Sequence, residues 1–297
     1  MNTVPASKWL GSLLVAWLLL PPAALADAEP AQASAPAAAT VTAPAPVAAT
    51  APAPITPCQR PAAGATSYLP AAPVDSPALI APPPPAGSDA ERADLQAVLA
   101  AQRAVRAAHT TARAIADSEI SCARVAAAAG EYRDAGLARG ALDFLTEAAH
   151  QTTALSSAAK RYWHRPRPYL LSDQVERLAD VAPGAVLPEV PAGAASEEYR
   201  HYRDNTGYPS GHATFGMACG VLLARMVPER RRELFERGIA YGDSRVIVGA
   251  HYPSDVAAGR SLAVAAVALM LANPCFAEDF AGARTALRQS LRLPATP

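Results

Sequence analysis

The chain has 297 residues, carries 26 Lys and Arg against 26 Asp and Glu, and is 51% hydrophobic but only 6% aromatic. A neutral charge without a basic block argues against binding to a nucleic-acid polymer, because that binding draws its energy from clustered Lys and Arg. The hydrophobic content excludes a wholly disordered chain, and the length allows one large domain or two small ones.

The first 85 residues hold 18 of the 29 prolines, and residues 1–26 have the form of a secretory signal peptide. Lys8 precedes an apolar run from Trp9 to Leu20, prolines follow the run, and Ala24-Leu25-Ala26 has the small-x-small pattern of a cleavage site. The alternative is an uncleaved membrane anchor, but the run is shorter than the roughly 20 residues that cross the hydrocarbon core. We therefore expect a periplasmic or secreted protein without stable membrane insertion.

Residues 27–60 are predicted to form a disordered tether that is rich in Ala and Pro. No charged residue occurs between Ala31 and Gln59. Such a composition buries too little apolar surface to offset its ordering entropy, which favours an extended, polyproline-like chain. The remaining residues, 61–297, are expected to form the folded domain.

The folded domain is predicted to be all-α, a compact helical bundle with one core. Ser88 precedes Glu91 by three residues, the spacing of a capping box that satisfies free amide donors at a helix start. From there the sequence is rich in Ala, Leu, Arg and Glu and shows no convincing strand. Helices are therefore expected at 89–108, 111–128, 134–162, 212–227, 229–242, 253–273 and 276–291. The run Phe215–Met226 is apolar on nearly every face, which indicates a helix surrounded by others.

Helical signals lapse between Pro166 and Pro209, where prolines and glycines recur. A loop of this length within a compact domain is usually functional or disordered. Here the loop joins two of three short motifs that carry chemically active side chains.

The first motif pairs Lys160, the only Lys after residue 26, with Arg167 seven residues later. Prolines on both sides of Arg167 prevent a helix from continuing through it, so Lys160 is expected near a helix end with Arg167 just beyond. Both cations could then face one anion. The alternative is a solvated basic loop at residues 161–165.

The second motif, Tyr208-Pro209-Ser210-Gly211-His212, directly precedes the apolar helix. A helix N-terminus presents unpaired N–H groups and the positive end of the helix dipole, which together attract a phosphate-like anion. Gly211 allows close approach to the backbone, Ser210 adds a hydroxyl donor, and His212 places an imidazole beside the anion. An ordinary helix cap is the alternative for this motif alone.

The third motif is Ser244-Arg245-x5-His251-x3-Asp255. Pro253 suits the first position of a helix, so Asp255 is expected in the first turn, near one imidazole nitrogen of His251. A carboxylate on one nitrogen leaves the other with a free lone pair, which makes His251 a nucleophile or a base. Arg245 offers a planar fork for phosphate oxygens. A purely structural His-Asp cap is the alternative.

Together the three motifs predict a phosphoryl-transfer site without a metal or another cofactor. Three cations and helix N–H groups suit the charge that a phosphoryl group spreads over its equatorial oxygens during transfer. The other histidines show no metal-ligand spacing and are interpreted as surface or core residues. They are His109, His150, His164 and His201.

Four cysteines permit two disulfides in an exported chain: Cys58, Cys122, Cys219 and Cys275. Among the three possible pairings we predict Cys58 with Cys122 and Cys219 with Cys275. Cys219 lies in the apolar run, where a buried free thiol is equally compatible with the sequence.

The three motifs resemble the signature of the phosphatidic acid phosphatase type 2 superfamily, K-x6-RP, PSGH and SR-x5-H-x3-D, at every signature position. Beyond them, Pro82–Ser88 and Ser244–His251 look like the soluble, exported class A bacterial non-specific acid phosphatases. The resemblance runs from about Tyr68 to the C-terminus and leaves out the tether and the cysteines. It implies an all-α acid phosphatase domain at residues 61–297.

The resemblance also implies a phosphohistidine mechanism and a role for each signature residue. His251 attacks phosphorus, Asp255 orients His251, and His212 protonates the leaving alcohol and then activates water. The phosphoryl oxygens are held by Lys160, Arg167, Ser210, Gly211 and Arg245. The implied substrates are small-molecule phosphomonoesters of broad range, and an imidazolium acid favours mildly acidic pH because free His titrates near about 6.5.

Three other functions stay open at this point. Vanadate-dependent haloperoxidases share this anion pocket, and residues 209–216 look like theirs, although their chains are usually much longer. Membrane lipid phosphatases of the superfamily place the site among spanning helices, which the mature chain is not expected to have. A phosphate-binding module without turnover would keep the cations and tolerate the loss of His251.

A homodimer is compatible with the sequence.

Overall fold

The computed structural model describes residue 58 and residues 67–108, 111–178 and 206–295. The chain divides into two units, Met1–Pro52 and Ala53–Pro297, and all described residues belong to the second. The predictions of a signal peptide at 1–26 and of a tether at 27–60 fall outside the described residues, apart from Cys58. His109, His201 and most of the predicted loop also lie outside them.

The described residues form a helical bundle, as the sequence predicted. Nine α-helices follow one another in these ranges: α1 (Asp89–Ala108), α2 (Thr111–Ala116), α3 (Cys122–Ala126), α4 (Ala135–Trp163), α5 (Pro168–Leu171), α6 (Gly211–Met226), α7 (Arg231–Ile247), α8 (Pro253–Leu271) and α9 (Pro274–Ser290). The one extended pairing among these residues is an isolated bridge between Pro166 and Thr206. The all-α fold class is therefore confirmed.

Helix α1 begins with a cap close to the predicted capping box, but the Glu91 carboxylate binds the N–H of Gly87 and not that of Ser88. The Ser88 hydroxyl accepts a hydrogen bond from the N–H of Glu91 at 3.2 Å, and the Glu91 carboxylate accepts one from the N–H of Gly87 at 2.7 Å. Each cap satisfies an amide donor that the helix itself cannot pair. The structure confirms α1 over the predicted 89–108.

Helix α6 is the central helix and packs against α3, α4, α7, α8 and α9. It runs antiparallel to α7, and the two backbones touch because both helices carry glycine at the contacts. A Cβ placed on Gly238 would lie 3.0 Å from the Cα of Gly220, and one on Gly242 would lie 3.1 Å from the Cβ of Ala213. This close packing brings the N-terminus of α6, where the second motif lies, beside the C-terminal turns of α7, where the third motif begins.

Helix α8 is long and apolar enough to cross a membrane by length and composition, yet half of its apolar stretch is buried inside the protein. It packs on α6 and α4. The N–H of Ser210 donates to the carbonyl of Asp255 at 2.9 Å, which fixes the first turn of α8 against the start of α6. We therefore interpret α8 as a core helix of the bundle.

Two helix predictions were wrong in extent. The predicted helix at 111–128 is broken into α2 and α3, because the side chains of Asp117 and Ser118 bind groups on α7 and Ser121 caps α3 by accepting from the N–H of Ala123. The predicted helix at 229–242 continues to Ile247. The short helix α5 also lies in the segment that was predicted to lack helices.

All four cysteines are disulfide-bonded, but the predicted pairing was wrong. Cys58 bonds to Cys275, with 4.6 Å between their Cα atoms, and Cys122 bonds to Cys219, with 5.5 Å. Sequence spacing does not encode the helix packing that decides between the pairings. The Cys122–Cys219 bond ties α3 to the central helix, which also excludes a free thiol at Cys219.

Candidate active site

The three motifs meet where the C-terminal turns of α4 and α7 approach the N-termini of α6 and α8. The bridge between Pro166 and Thr206, together with a 2.7 Å hydrogen bond from the N–H of Gly207 to the carbonyl of Arg165, joins the first motif to the second. The bond from Ser210 to the Asp255 carbonyl joins the second motif to the third. The structure thus brings the predicted site residues together.

Lys160 lies in the last turn of α4 and is buried. Its Nζ donates to the carbonyls of Thr206 and Gly207 at 2.8 and 2.9 Å, so one of its three hydrogens is left for a ligand. Burial and the neighbouring Arg167 lower the pKa of Lys160 well below its ordinary value. The alternative for this motif was a solvated basic loop at residues 161–165. Arg161 and His164 are indeed exposed, but Lys160 is buried.

His251 is held in place by the turn that follows α7. Gly249 has a φ of +76°, a left-handed conformation that glycine adopts without strain. This turn lets the N–H groups of Ala250 and His251 donate to the carbonyl of Arg245 at 2.9 and 3.2 Å. His251 and Arg245 are therefore fixed relative to each other by the backbone.

The contacts of the His251 ring assign its tautomer. Nη1 of Arg167 lies 3.1 Å from Nε2 of His251, and a guanidinium can only donate, so Nε2 is the acceptor. The hydrogen is therefore on Nδ1, which lies 3.3 Å from Oδ2 of Asp255. The ring presents an unprotonated Nε2 to the cations of the site.

Electrostatics keep His251 neutral. Burial, reinforced by Arg167, Lys160 and Arg245, lowers the pKa of His251 well below its ordinary value of 6.5. Since a lowered pKa favours the uncharged form, the Nε2 lone pair persists at mildly acidic pH.

The start of α6 forms the predicted anion-binding end. Ser210 is its N-cap, and its Oγ accepts from the N–H of Ala213 at 3.3 Å while its own O–H can still donate. The first N–H groups of a helix, here those of Gly211 and His212, have no carbonyl of their own helix to bind. They can serve an anion placed at this end.

His212 and Arg245 share one support, the residue Ser118. Nη1 of Arg245 donates to Oγ of Ser118 at 2.7 Å, and Nε2 of His212 lies 3.1 Å from the Ser118 carbonyl. A carbonyl can only accept, so Nε2 carries a hydrogen and Nδ1 is the nitrogen left for chemistry. Burial, followed by the Arg245 charge, lowers the pKa of His212 to about 3.

Several site residues escaped the sequence analysis. Arg165, assigned to the solvated alternative, is buried and binds Asp255 and Asp94. Ser118 and Asp117 were placed inside a continuous helix. The alternation Arg165-Pro166-Arg167-Pro168 is the one signal that could have pointed to Arg165, because both arginines are held in rigid, non-helical backbone.

The two remaining histidines that the structure describes lie on α4 and at its C-terminal end. The ring of His150 packs against Phe215, with 5.1 Å between centroids, and His164 caps the end of α4. Among residues 67–108, 111–178 and 206–295, no three His, Cys, Asp or Glu side chains cluster as a metal site would require. That the reaction needs no metal stays a prediction, and chelation tests it.

Comparison with known proteins finds relatives named as acid phosphatases and, over a shorter stretch of 52 residues, relatives named as lipid A 1-phosphatases. A family model described as PAP2 superfamily matches residues 143–275. The chain is 32% identical to a non-specific acid phosphatase of Salmonella typhimurium over 151 residues, which are 51% of this chain and 52% of that protein. It is 30% identical to a non-specific acid phosphatase of Providencia stuartii over 71% of this chain and 80% of that protein. It is 28% identical to an acid phosphatase of Zymomonas mobilis over 73% and 77%. The match thus spans about half of the Salmonella protein and more than two thirds of the other two.

Proposed function

The chain belongs to the PAP2 superfamily, among the non-specific acid phosphatases, and from this premise we propose that it hydrolyses small phosphomonoesters of broad range through a phosphohistidine intermediate. The observation that carries the proposal is the state of His251. Its Nδ1–H faces Asp255, and its unprotonated Nε2 faces the cation Arg167.

The phosphoryl group binds with its non-bridging oxygens toward Lys160, Arg167 and Arg245 and toward the first N–H groups of α6. These donors are fixed before the substrate arrives, so they stabilise the charge of the transition state without reorganisation. The Ser210 hydroxyl adds a further donor.

In the first step the Nε2 lone pair of His251 forms a P–N bond while the ester P–O bond breaks. The electron pair of that bond leaves with the alcohol oxygen, which takes a proton from Nδ1 of His212. Asp255 stabilises the positive charge that develops on the His251 ring. In the second step His212 takes a proton from water, the water oxygen bonds to phosphorus, and the P–N electron pair returns to Nε2.

The acidic optimum needs an explanation beyond the ordinary pKa of histidine. Burial, followed by the neighbouring cations, lowers the pKa of His212 to about 3, so its ring is neutral at pH 5. A bound phosphate offsets the cations that depress this pKa, and a phosphomonoester with a second pKa of about 6 brings a proton with it below that pH. The substrate monoanion therefore supplies the proton that His212 passes to the leaving group.

Export to the periplasm or outside the cell is part of the proposal. It is supported by the signal-like pattern at residues 1–26 and by two disulfides, which persist in oxidising compartments. Secretion of the full-length chain with cleavage after Ala26 is the expected result, and retention of residues 1–26 in the mature protein would contradict it.

The test of the activity is phosphate release from aryl, alkyl, nucleotide and sugar monoesters across pH, with and without vanadate and a chelator. We expect hydrolysis of all classes with an acidic optimum, inhibition by vanadate and no effect of exhaustive chelation. Activity that disappears on chelation and returns with metal would overturn the metal-free mechanism. Halide oxidation in the presence of vanadate and peroxide would indicate a haloperoxidase, and phosphate binding without turnover would indicate a binding module.

A further inference from the structure

Arg165 lies behind the His251–Asp255 pair and is 4% exposed. Its Nη1 donates to Oδ1 of Asp255 at 2.7 Å and to Oγ of Ser254 at 2.6 Å, and its Nη2 donates to Oδ2 of Asp94 at 2.9 Å. Its guanidinium also stacks over the ring of Tyr252, 4.0 Å from the centroid. One buried cation therefore bridges two carboxylates, and both of its terminal nitrogens are engaged by protein groups.

These contacts divide the oxygens of Asp255 between two tasks. Oδ1 accepts from Arg165, whereas Oδ2 accepts from the N–H of Tyr252 at 3.0 Å and faces Nδ1 of His251 at 3.3 Å. Donors on both oxygens fix the plane of the carboxylate. Without the donor on Oδ1, the carboxylate would be held through Oδ2 alone and could rotate about its last bond, which would turn Oδ2 away from His251.

The second carboxylate makes this support rigid. Asp94 comes from α1, and its Oδ1 accepts from the N–H of Ser254 at 3.3 Å while its Oδ2 accepts from both Arg165 and the Ser254 hydroxyl. Arg165, Ser254 and Asp94 thus form a closed hydrogen-bonded ring. The ring ties α1 and the segment after α4 to the first turn of α8.

The charge of Asp255 also depends on this arrangement. Asp255 is fully buried, and burial raises its pKa while Arg165 opposes that rise. A buried carboxylate that lost this partner would take up a proton at a higher pH than it does in the native site.

We infer that Arg165 is a positioning residue of the active site: it touches no substrate, and it acts by holding the Asp255 carboxylate against the Nδ1–H of His251. The inference rests on the proposed function for its kinetic consequence, but the contact itself can be observed without turnover. Arg165 therefore supports the nucleophile from within the first motif, at one of the unspecified positions between Lys160 and Arg167.

The kinetic test compares Arg165→Met and Arg165→Lys with the matched control Arg288→Met. Arg288 is also a buried arginine in an ion pair, bonded to Glu229 at 2.7 and 2.9 Å, and it lies among the C-terminal contacts of the bundle. Arg165→Met should lower kcat about 10- to 100-fold, as the loss of an outer support typically does, with a smaller change in KM. The lysine variant should keep part of the activity because it keeps the charge.

The pH profile separates positioning from simple stability. In Arg165→Met the acidic limb of kcat should move to higher pH, because Asp255 then protonates more readily. Arg288→Met should lower Tm and leave the acidic limb where the wild type has it. If both variants lose stability and neither shifts the limb, Arg165 has only a structural role.

A double-mutant cycle tests whether Arg165 acts through Asp255. In an Asp255→Asn background, Arg165→Met should cost little further kcat, because the group it positions is already gone. An equal loss in both backgrounds would overturn the inference. If Arg165→Met does not fold, the same cycle with Arg165→Lys decides.

A measurement without substrate distinguishes this inference from the proposed function. In ¹⁵N-histidine-labelled protein, the Nδ1–H resonance of His251, identified by its loss in His251→Gln, should report a strong hydrogen bond and should weaken or vanish in Arg165→Met. If the wild-type protein releases no phosphate but the resonance still weakens in Arg165→Met, the proposed function is contradicted and the positioning role is supported. An unchanged resonance in the Arg165 variant contradicts the positioning role whatever the activity.

Discussion

The two sides of the site hold their histidines in different ways. On the nucleophile side, His251 faces the buried carboxylate of Asp255, which is supported in turn by Arg165. On the leaving-group side, the ring of His212 faces the neutral carbonyl of Ser118. A carboxylate partner stabilises the charge that a nucleophilic imidazole acquires. A neutral carbonyl partner on Nε2 fixes the ring but does not stabilise its charged form, so a proton on Nδ1 is easy to give away. The partner of each ring therefore matches the task that we propose for it.

Loss of the nucleophile is the largest change that this comparison predicts. His251→Ala should lower kcat by about 10⁴-fold or more for every monoester, because no other group can form the P–N bond. Phosphate binding should persist, since Lys160, Arg167 and Arg245 remain. Steady-state rates with p-nitrophenyl phosphate, together with calorimetry of inorganic phosphate, measure both effects. Residual turnover close to the wild-type rate would rule out His251 as the nucleophile.

Loss of the acid should depend on the leaving group. His212→Ala should lower kcat about 10²- to 10⁴-fold for an alkyl phosphate, the usual range for a general acid or base. The release of p-nitrophenol in the first turnover should fall much less, because this alcohol leaves without a proton. Burst kinetics with the two substrates provide the measurement. Equal losses for both would show that the two sides do not divide the work as proposed.

The support of the leaving-group side rests on the largely buried ion pair between Asp117 and Arg237. Asp117 is 1% exposed and accepts from Arg237 and from the Ser244 hydroxyl. Asp117→Ala should lower the free energy of unfolding by about 3–5 kcal/mol, because the Arg237 charge is left without its partner. The control Asp243→Ala, which breaks the half-exposed pair with Arg260, should cost about 0–1 kcal/mol. Denaturant unfolding compares them, and similar losses in both variants would contradict this assignment.

Ser118→Ala should have the smallest effect. It removes the hydroxyl that holds Arg245 and keeps the carbonyl that holds His212. We expect kcat to fall about tenfold, the value of one hydrogen bond to a charged group, with little change in Tm. The loss should be similar for alkyl and aryl phosphates, since we propose that Arg245 binds the phosphoryl group and not the leaving group. A loss confined to alkyl phosphates would place the effect on His212 instead.

The sequence was a better guide to the nucleophile side than to the leaving-group side, and the reason is sequence distance. His251 and Asp255 are four residues apart, and Pro253 fixes the helix start between them, so local geometry predicts that they lie close together. Ser118 lies 94 residues from His212 and 127 from Arg245. No local pattern links such positions.

Helix propensity also misled the prediction for Asp117 and Ser118, the residues that support the leaving-group side. The Ala-rich stretch 111–128 favours a continuous helix, and the side-chain bonds of Asp117 and Ser118 to α7 override that preference. The disulfide pairing failed for a similar reason, because it depends on how α3 packs against the central helix. The fold class depends on composition and was predicted correctly as all-α. The three motifs are recognised by their short spacing, and the structure places them side by side.

The most direct test of the central claim is to trap the phosphorylated enzyme. His212→Ala with p-nitrophenyl phosphate should accumulate the intermediate, because this leaving group needs no acid while hydrolysis of the P–N bond lacks its base. After an alkaline quench, which preserves phosphohistidine, peptide mass spectrometry should find one phosphoryl group on His251. The double variant with His251→Ala should carry none. Phosphorylation of any other residue, or a burst of p-nitrophenol without phosphorylated enzyme, would contradict the account.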